Sequence, residues 1–266
     1  MRSTRNGWPF PPRTREVQLD EKWGFVFQKE QSCDPDDPTD RGRGDDWDHT
    51  AVDPEHRLLL ALVPGKRDGA ACKRLIQQVH NRTAGRSDVL LTSDEYAPYE
   101  AAIREVYGVE QPRPRRPGPG RPPKPVTVLP PDLCYATVRK RREKGCVVEV
   151  VRTVVFGTLA LLQALLDRST ASTTVNTAFV ERHNGTDRHQ NGRKHRKTYG
   201  FSKEIALHHA ASSFIGYSYN FCWCVRTLRM RGEDGHWQPR TPAMAAGLTD
   251  HVWSLWEWIT FPAKPS

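Results

Sequence analysis

Residues 16–27 read EVQLDEKWGFVF, a stretch that opens with a strand-like run and ends in an aromatic one. Its β-branched and aromatic residues fit a pleated, partly buried surface. Asp20 ends the first run, residues 16–20, and leads directly into the second. The stretch therefore predicts a strand that carries a carboxylate at Asp20.

A second stretch repeats this arrangement. Residues 88–94 read DVLLTSD, a short apolar run that ends in Asp94 and is typical of a buried strand. Pro98 follows four residues later, and proline is well suited to the first turn of a helix. We expect a strand that ends at Asp94 and a helix that begins near Pro98.

Glu181 lies instead in a helical context, within the run VERHNGTDR of residues 180–188. Positions 181, 184 and 188 are three and seven residues apart, so Glu181, Asn184 and Arg188 share one helix face. Two strand-end aspartates and one helix glutamate can converge on a pair of hard cations, which take oxygen ligands. Taken singly, each aspartate reads as an ordinary turn or helix cap, and only the combination favours a metal site.

The charge of the chain is unevenly distributed. The formal net charge is +9, and residues 112–144 hold ten Lys or Arg against two acids. Residues 182–203 hold seven basic residues against one acid, whereas residues 30–55 hold ten acids and two Arg. The basic surplus lies in and beside the predicted Glu181 helix, where a polyphosphate backbone would pass. The acidic segment lacks the pattern of a calcium loop and is predicted to be solvated.

The remaining pattern predicts further elements of secondary structure. The expected elements are a hairpin over residues 47–63, a helix over residues 69–82, a strand pair over residues 135–156 with a turn at residues 144–145, and helices from residue 158 onward, one of them over residues 205–221. Trp253, Trp256 and Ile259 are predicted to form a packing stripe. Glu21 and Glu95 are predicted to face solvent, because alternation along a strand turns neighbouring side chains apart.

Four strings together resemble the catalytic region of DDE-class insertion-sequence transposases of the insertion-sequence-one type. The strings are LDEKWGFV at residues 19–26, TSDEYAPYEAAI at residues 92–103, NTAFVERHNGTDRHQNGRKHRKTYGFSK at residues 176–203 and YNFCWCVRTLR at residues 219–229. No single string is specific, but their order and context are. The resemblance covers the chain from about Val17 to Leu228.

The resemblance implies an α/β fold of the ribonuclease-H-like class, a mixed β-sheet flanked by helices. It divides the chain into an extension of residues 1–16, a catalytic domain of residues 17–228 and a helical C-terminal part of residues 229–266. The catalytic domain would contain an acidic loop at residues 31–46 and a basic Pro/Arg-rich insertion at about residues 109–148. In this fold the first aspartate lies on the central first strand and the second at the end of the adjacent fourth strand.

The same resemblance implies metal-dependent DNA strand cleavage and strand transfer at the ends of an insertion element. Asp20, Asp94 and Glu181 would be the catalytic residues and the ligands of two Mg²⁺ ions, with Mn²⁺ as a substitute. Double-stranded DNA, as element ends and as target, would be the substrate. The residues expected to contact it are Asn184, Arg188, Arg193, Lys194, Arg196 and Lys197.

Partners and location follow from the same reading. Transposases of this class work as oligomers, so a homo-oligomer is expected. Many relatives carry a recognition module ahead of the first aspartate, but here 19 residues precede Asp20 and contain no Cys or His. A separate protein from an upstream reading frame is therefore an expected partner. Six cysteines without CxxC spacing and the lack of an apolar signal core favour a cytoplasmic, nucleoid-associated prokaryotic protein that does not bind membranes.

Two other functions are compatible with these residues. One is a ribonuclease-H-like nuclease that cleaves DNA without strand transfer. The other is a noncatalytic transposase remnant that binds DNA. Intact carboxylate contexts argue against a remnant, whereas the missing recognition module argues for it.

Overall fold

The computed structural model describes residues 13–113, 123–195 and 197–262. Its strands are β1 (Glu16–Val26), β2 (Gly44–Asp53), β3 (Leu58–Gly65), β4 (Leu90–Asp94), β5 (Val109–Gln111), β6 (Val126–Val128), β7 (Cys134–Glu143), β8 (Cys146–Phe156), β9 (Met230–Arg231) and β10 (Trp237–Gln238). Its α-helices are α1 (Gly69–Arg82), α2 (Pro98–Tyr107), α3 (Leu159–Arg168), α4 (Ala178–Gln190), α5 (Ile205–Cys222), α6 (Pro242–Ala245) and α7 (Leu255–Thr260).

Six strands form one mixed sheet in the order β3-β2-β1-β4-β7-β8. β1 pairs antiparallel with β2 and parallel with β4. β4 in turn pairs parallel with β7, and β7 pairs antiparallel with β8. The sheet thus changes from antiparallel to parallel at β1, which makes this strand its topological centre.

One face of the sheet is covered by an apolar layer. Leu75 and Ile76 of α1 and Ile103 of α2 pack into one buried cluster with Val17 and Leu19 of β1. Each such aliphatic side chain contributes about 1.5–3 kcal/mol when it is withdrawn fully from water. This layer fixes α1 and α2 on the sheet.

The opposite face is covered by α4 and α5 and is more polar. Val180 of α4 packs against Leu59 of β3. The Asn220 side chain of α5 bonds both the N–H and the C=O of Leu59, each at 2.9 Å. The prediction of a mixed sheet flanked by helices is therefore confirmed. Within the described ranges no helix is long and apolar enough to cross a membrane.

Several local predictions are confirmed. α1 has the predicted bounds, and its N-cap Asp68 accepts a hydrogen bond from the N–H of Ala71 at 2.8 Å. β2 and β3 form the predicted hairpin. In the turn between β7 and β8, Lys144 and Gly145 have φ values of 48° and 85°. A two-residue hairpin loop of this kind requires φ > 0 at both positions, which explains why the turn falls there.

The basic segment at about residues 109–148 is only in part an arm. Residues 114–122 lie outside the described residues, and β5 and β6 on either side of them pair with each other. β7, however, lies inside the main sheet between β4 and β8. The expectation of a separate insertion up to residue 148 is corrected here, because the first five residues of β7 are all buried in the sheet.

The C-terminal part contains less helix than expected, and Trp253, Trp256 and Ile259 do not form one packing surface. α7 is only six residues long and begins after Trp253. Trp256 and Ile259 are 74% and 60% exposed, so the prediction that they pack is wrong. Trp253 does pack, with its ring centroid 4.8 Å from that of Phe221 in α5.

These positions make distinct stability predictions. Trp253→Ala should lower the free energy of unfolding by about 2 kcal/mol, because it removes a partly buried ring that packs against Phe221 of α5. Trp256→Ala, the matched control, should change it by less than about 0.5 kcal/mol. Chemical denaturation of both variants checks this, and equal losses would mean that the two rings are packed alike.

Candidate active site

The parallel pairing of β1 with β4 brings Asp20, in the interior of β1, near Asp94 at the end of β4. The last paired residues of these parallel strands are Gln18 and Thr92. Asp20 and Asp94 each lie two residues further along, on the same side as that pair, because side chains alternate along a strand. The register of this one strand pair therefore places two aspartates close in space although they are 74 residues apart in sequence.

Glu181 arrives from α4. The side-chain oxygen of Gln18 accepts hydrogen bonds from the N–H groups of Phe179 and Val180, at 2.9 and 3.2 Å. These are orphan donors of the first helical turn, and Gln18 thereby ties the start of α4 to β1. Glu181 follows immediately, so its position is fixed relative to Asp20.

An open cavity of about 520 Å³ lies where these elements meet. Asp94 and Glu181 both line it, and Asp20 is close enough for both carboxylates to raise its pKa. The cavity is lined by Arg67, Asp94, Glu95, Tyr96, Val138, Arg139, Lys140, Thr177 and Glu181. Asp94 and Glu181 thus share one cavity with Arg67, Arg139 and Lys140, and Asp20 lies within electrostatic reach of both carboxylates.

Asp20 is held by two hydrogen bonds. Its Oδ2 accepts from Asn184 Nδ2 at 2.8 Å, and its Oδ1 accepts from the N–H of Glu21 at 2.9 Å. Burial raises the pKa of Asp20 to about 6, although the Asn184 bond lowers it, and the negative charge of Asp94 raises it further. The site thus holds a carboxylate whose charge is poorly compensated.

Asp94 is less well satisfied than Asp20. Burial raises the pKa of its carboxyl group, and the charge of Arg67 opposes that rise. Its Oδ1 is buried and has no hydrogen-bond partner among the described residues. A buried carboxylate oxygen without a donor is costly, and a bound cation would satisfy it.

Glu181, unlike Asp20 and Asp94, accepts a hydrogen bond from a lysine side chain. It accepts hydrogen bonds from Lys140 Nζ at 2.6 Å and from Thr177 Oγ1 at 2.7 Å. Burial alone would raise its pKa, but these two donors and the charge of Lys140 lower it below its ordinary value. Lys140 therefore supplies the only cation in direct contact with this carboxylate within the described chain.

The prediction that Glu21 faces solvent is wrong. Its side chain is 1% exposed and accepts from Arg67 at 3.0 and 3.2 Å. Burial raises its pKa to about 7. The Arg67 guanidinium also lies 4.2 Å from the ring centre of Tyr96 and 5.0 Å from that of Trp47. No motif pointed to Arg67, because its partners are distant in sequence.

The predicted DNA contacts do not form one surface. Asn184 is buried and bonds to Asp20 and Thr50, so its amide orients a carboxylate and does not face a phosphate. Lys194 is also buried, and its ammonium bonds to Asp48 and Ser212. Both placements correct the prediction of a DNA-facing role, because these polar groups are already engaged inside the protein.

The other predicted contacts have different environments. Arg188 is half-buried, and its Nη2 donates to the C=O of Trp23 at 3.4 Å. Arg193 and Lys197 are exposed. Arg196 lies outside the described residues. Arg193 and Lys197 therefore have side chains free to meet an anionic partner.

Comparisons with known proteins do not assign this chain to a family. No family model matches the sequence. A search of curated proteins finds no match either. One solved structure that is similar is titled "Mos1 transposase paired-end complex with left transposon end", at 18% identity over 37% of this chain and about a third (34%) of that chain, with a TM-score of 0.22. A likeness this weak supports neither a fold nor a function.

The hydrogen bond from Asn184 makes a prediction about charge. Asn184→Ala should raise the pKa of Asp20 above its value of about 6, because the variant loses a donor that stabilises the ionised form. The measurement is a carboxyl-carbon NMR titration without added divalent cation. Thr186→Ala, which changes a half-exposed side chain of the same helix, should leave the titration unchanged. A pKa that falls in Asn184→Ala would contradict this assignment.

Proposed function

We propose that this chain is the catalytic region of a DDE transposase, which cleaves DNA strands and transfers them at the ends of an insertion element. The observation that supports this most is that Asp94 of β4 and Glu181 of α4 line one cavity, with Asp20 of β1 near enough for both charges to raise its pKa. Carboxylates gathered in this way against their own repulsion serve a cation or proton chemistry more readily than stability.

The strand order supports a ribonuclease-H-like fold for this domain. That fold requires the first aspartate on the central strand and the second at the end of the adjacent fourth strand. β1 carries Asp20 at the centre of the sheet, and β4, next to it, ends at Asp94. The proposal thus combines strand order with residue position, and it needs no help from overall likeness to another protein.

The donor set fits Mg²⁺. The candidates to hold it are Asp20, Asp94 and Glu181, which offer only oxygen atoms, as this ion prefers. The Oδ1 of Asp94 is buried and has no hydrogen-bond donor among the described residues, and a cation would satisfy it. Two such ions, when bound, would activate an attacking hydroxyl and neutralise charge on the leaving oxygen.

The chain's own residues would orient the reacting groups. Asn184 holds Asp20 in place, and Thr177 and Lys140 hold Glu181. Arg67 lines the cavity and is fixed by Glu21, and its side chain is 39% exposed. A guanidinium held in this way is suited to a phosphate oxygen of the strand that is cut.

Double-stranded DNA would lie across the basic rim. Arg139 and Lys140 line the cavity, and Arg193 and Lys197 are exposed beyond α4. These side chains would bind phosphates without reading sequence. Recognition of the element ends would fall to a second protein or to a further copy of this chain, in a homo-oligomer.

The decisive experiment compares Glu181→Gln with Glu95→Gln. Both residues line the cavity, but only Glu181 is proposed to be catalytic. Glu181→Gln should reduce metal-dependent nicking and strand transfer at least about 100-fold, because it removes a metal ligand, and should leave DNA binding nearly unchanged. Glu95→Gln should retain most activity.

The assay uses DNA that carries the ends of the element, with Mg²⁺ or Mn²⁺. Nicks without joined products would favour a nuclease without strand transfer. Binding without any cleavage, by the unaltered chain as well, would favour a noncatalytic DNA-binding remnant. Equal activity in both variants would remove Glu181 from the proposed site.

DNA binding makes a separate prediction. Replacing Arg193 and Lys197 with Ala should weaken binding to all sequences and reduce the salt-dependence slope by about two, one for each lost phosphate contact. The control is Lys73→Ala with Arg104→Ala, which removes the same charge from exposed positions on α1 and α2, across the sheet from α4. Equal weakening by both pairs, measured by fluorescence anisotropy across a salt series, would mean that only net charge matters.

A further inference from the structure

A second cluster of metal-ligating side chains lies between β2 and α5, apart from the carboxylate cavity. Asp46 and Asp48 are two residues apart on β2 and so point to the same face. His208 extends from the first turn of α5 towards them. One ligand atom from each residue lies within 4.8 Å of the other two.

These three residues are almost fully buried, and each leaves one atom unsatisfied. Asp46, Asp48 and His208 are 4%, 1% and 1% exposed. Asp46 Oδ1, Asp48 Oδ1 and His208 Nε2 have no hydrogen-bond partner within the described part of the chain. One orphaned polar atom is costly, and three in one cluster indicate a shared missing partner.

The imidazole is already oriented as a ligand. His208 Nδ1 is 2.7 Å from Ser202 Oγ, so a proton on Nδ1 leaves the lone pair of Nε2 directed at Asp46 Oδ1, 3.5 Å away. Metal-bound histidines are held by their second nitrogen in this manner. A separation of 3.5 Å is long for a charged hydrogen bond. It is close to the roughly 3.4 Å between two ligands of a tetrahedral ion with bonds of about 2.1 Å.

The surrounding charges leave one carboxylate without a cation. Lys22 and Lys194 both bind the other oxygen of Asp48, and Lys22 also pairs with Asp187. The two ammonium groups thus balance the charges of Asp48 and Asp187. Within the described residues the side-chain partners of Asp46 are two histidines, with His209 Nε2 at 3.0 Å from its Oδ2. A buried charge of this kind is stabilised by a bound cation.

We propose that Asp46, Asp48 and His208 bind a divalent transition-metal ion of the Zn²⁺ class. Two carboxylate oxygens and an imidazole nitrogen suit Zn²⁺, whereas the nitrogen ligand disfavours Mg²⁺. Gly24 lies beside the cluster, where a Cβ would be 3.7 Å from His208 Nε2. The ion would fasten α5 to β2, and this site does not depend on the proposed DNA chemistry.

The test is a Zn²⁺ titration against a chromogenic chelator, using the full chain. Asp94→Asn and Glu181→Gln are introduced together so that the carboxylate cavity contributes no affinity. One equivalent of Zn²⁺ should bind. His208→Gln and Asp46→Asn should each weaken this binding at least about 100-fold, more than the loss of a group that only orients a ligand. His236→Gln, which removes an exposed histidine, should change it less than about threefold.

The outcomes separate cleanly. Failure to bind one equivalent, or binding that His208→Gln leaves unchanged, overturns the proposal and leaves the cluster as internal polar contacts between β2 and α5. If the variants lose their circular dichroism spectrum, zinc-edge anomalous diffraction from the unaltered chain with one equivalent of Zn²⁺ decides. A peak among the three ligand atoms supports the site, and a peak elsewhere or none overturns it.

Discussion

The contact on which the site depends is a ladder of polar interactions between β1 and α4. Gln18 accepts from the first N–H groups of the helix, Asp20 accepts from Asn184, and Lys22 pairs with Asp187. Alternate residues of a strand advance by about 6.7 Å, and one helical turn advances by about 5.4 Å. The two repeats are close enough for three successive matches, so strand and helix run side by side in one register.

This ladder decides where Glu181 lies. The glutamate is in the first turn of α4, just past the N–H groups held by Gln18, and a shift of the helix by one turn would move it away from Asp94. Asp94 itself is fixed through the parallel pairing of β4 with β1. A single strand therefore positions both other carboxylates, one through backbone hydrogen bonds and the other through side chains.

The sequence was sufficient to predict many helices, strands and turns, but it did not predict which side chains pair with each other. Periodicity located α1, the β2–β3 hairpin and the β7–β8 turn, since each depends on residues close in sequence. The three site carboxylates were predicted from their local contexts. Asn184 and Lys194 look like ordinary polar residues of a basic helix, and only the fold shows that Asp20 and Asp48 lie opposite them.

Glu21 and Trp256 were mistaken for related reasons. Alternation correctly turned Glu21 away from Asp20, but the layer on that side includes Arg67 and is not solvent. A period of three among aromatic residues predicted packing at Trp256, yet the helix is too short to hold the period, and the ring is exposed. A pattern states which side chains share a direction, and it does not state what lies in that direction.

The two faces of the sheet are held by different forces, and this difference suits an active site. Apolar contacts with α1 and α2 supply most of the favourable burial, but they are not directional and tolerate small shifts. The polar contacts with α4 and α5 cost desolvation and contribute little net stability, but they are directional to within a few tenths of an ångström. The carboxylates of the candidate site therefore lie on the face that is less favourable for stability and more exact in geometry.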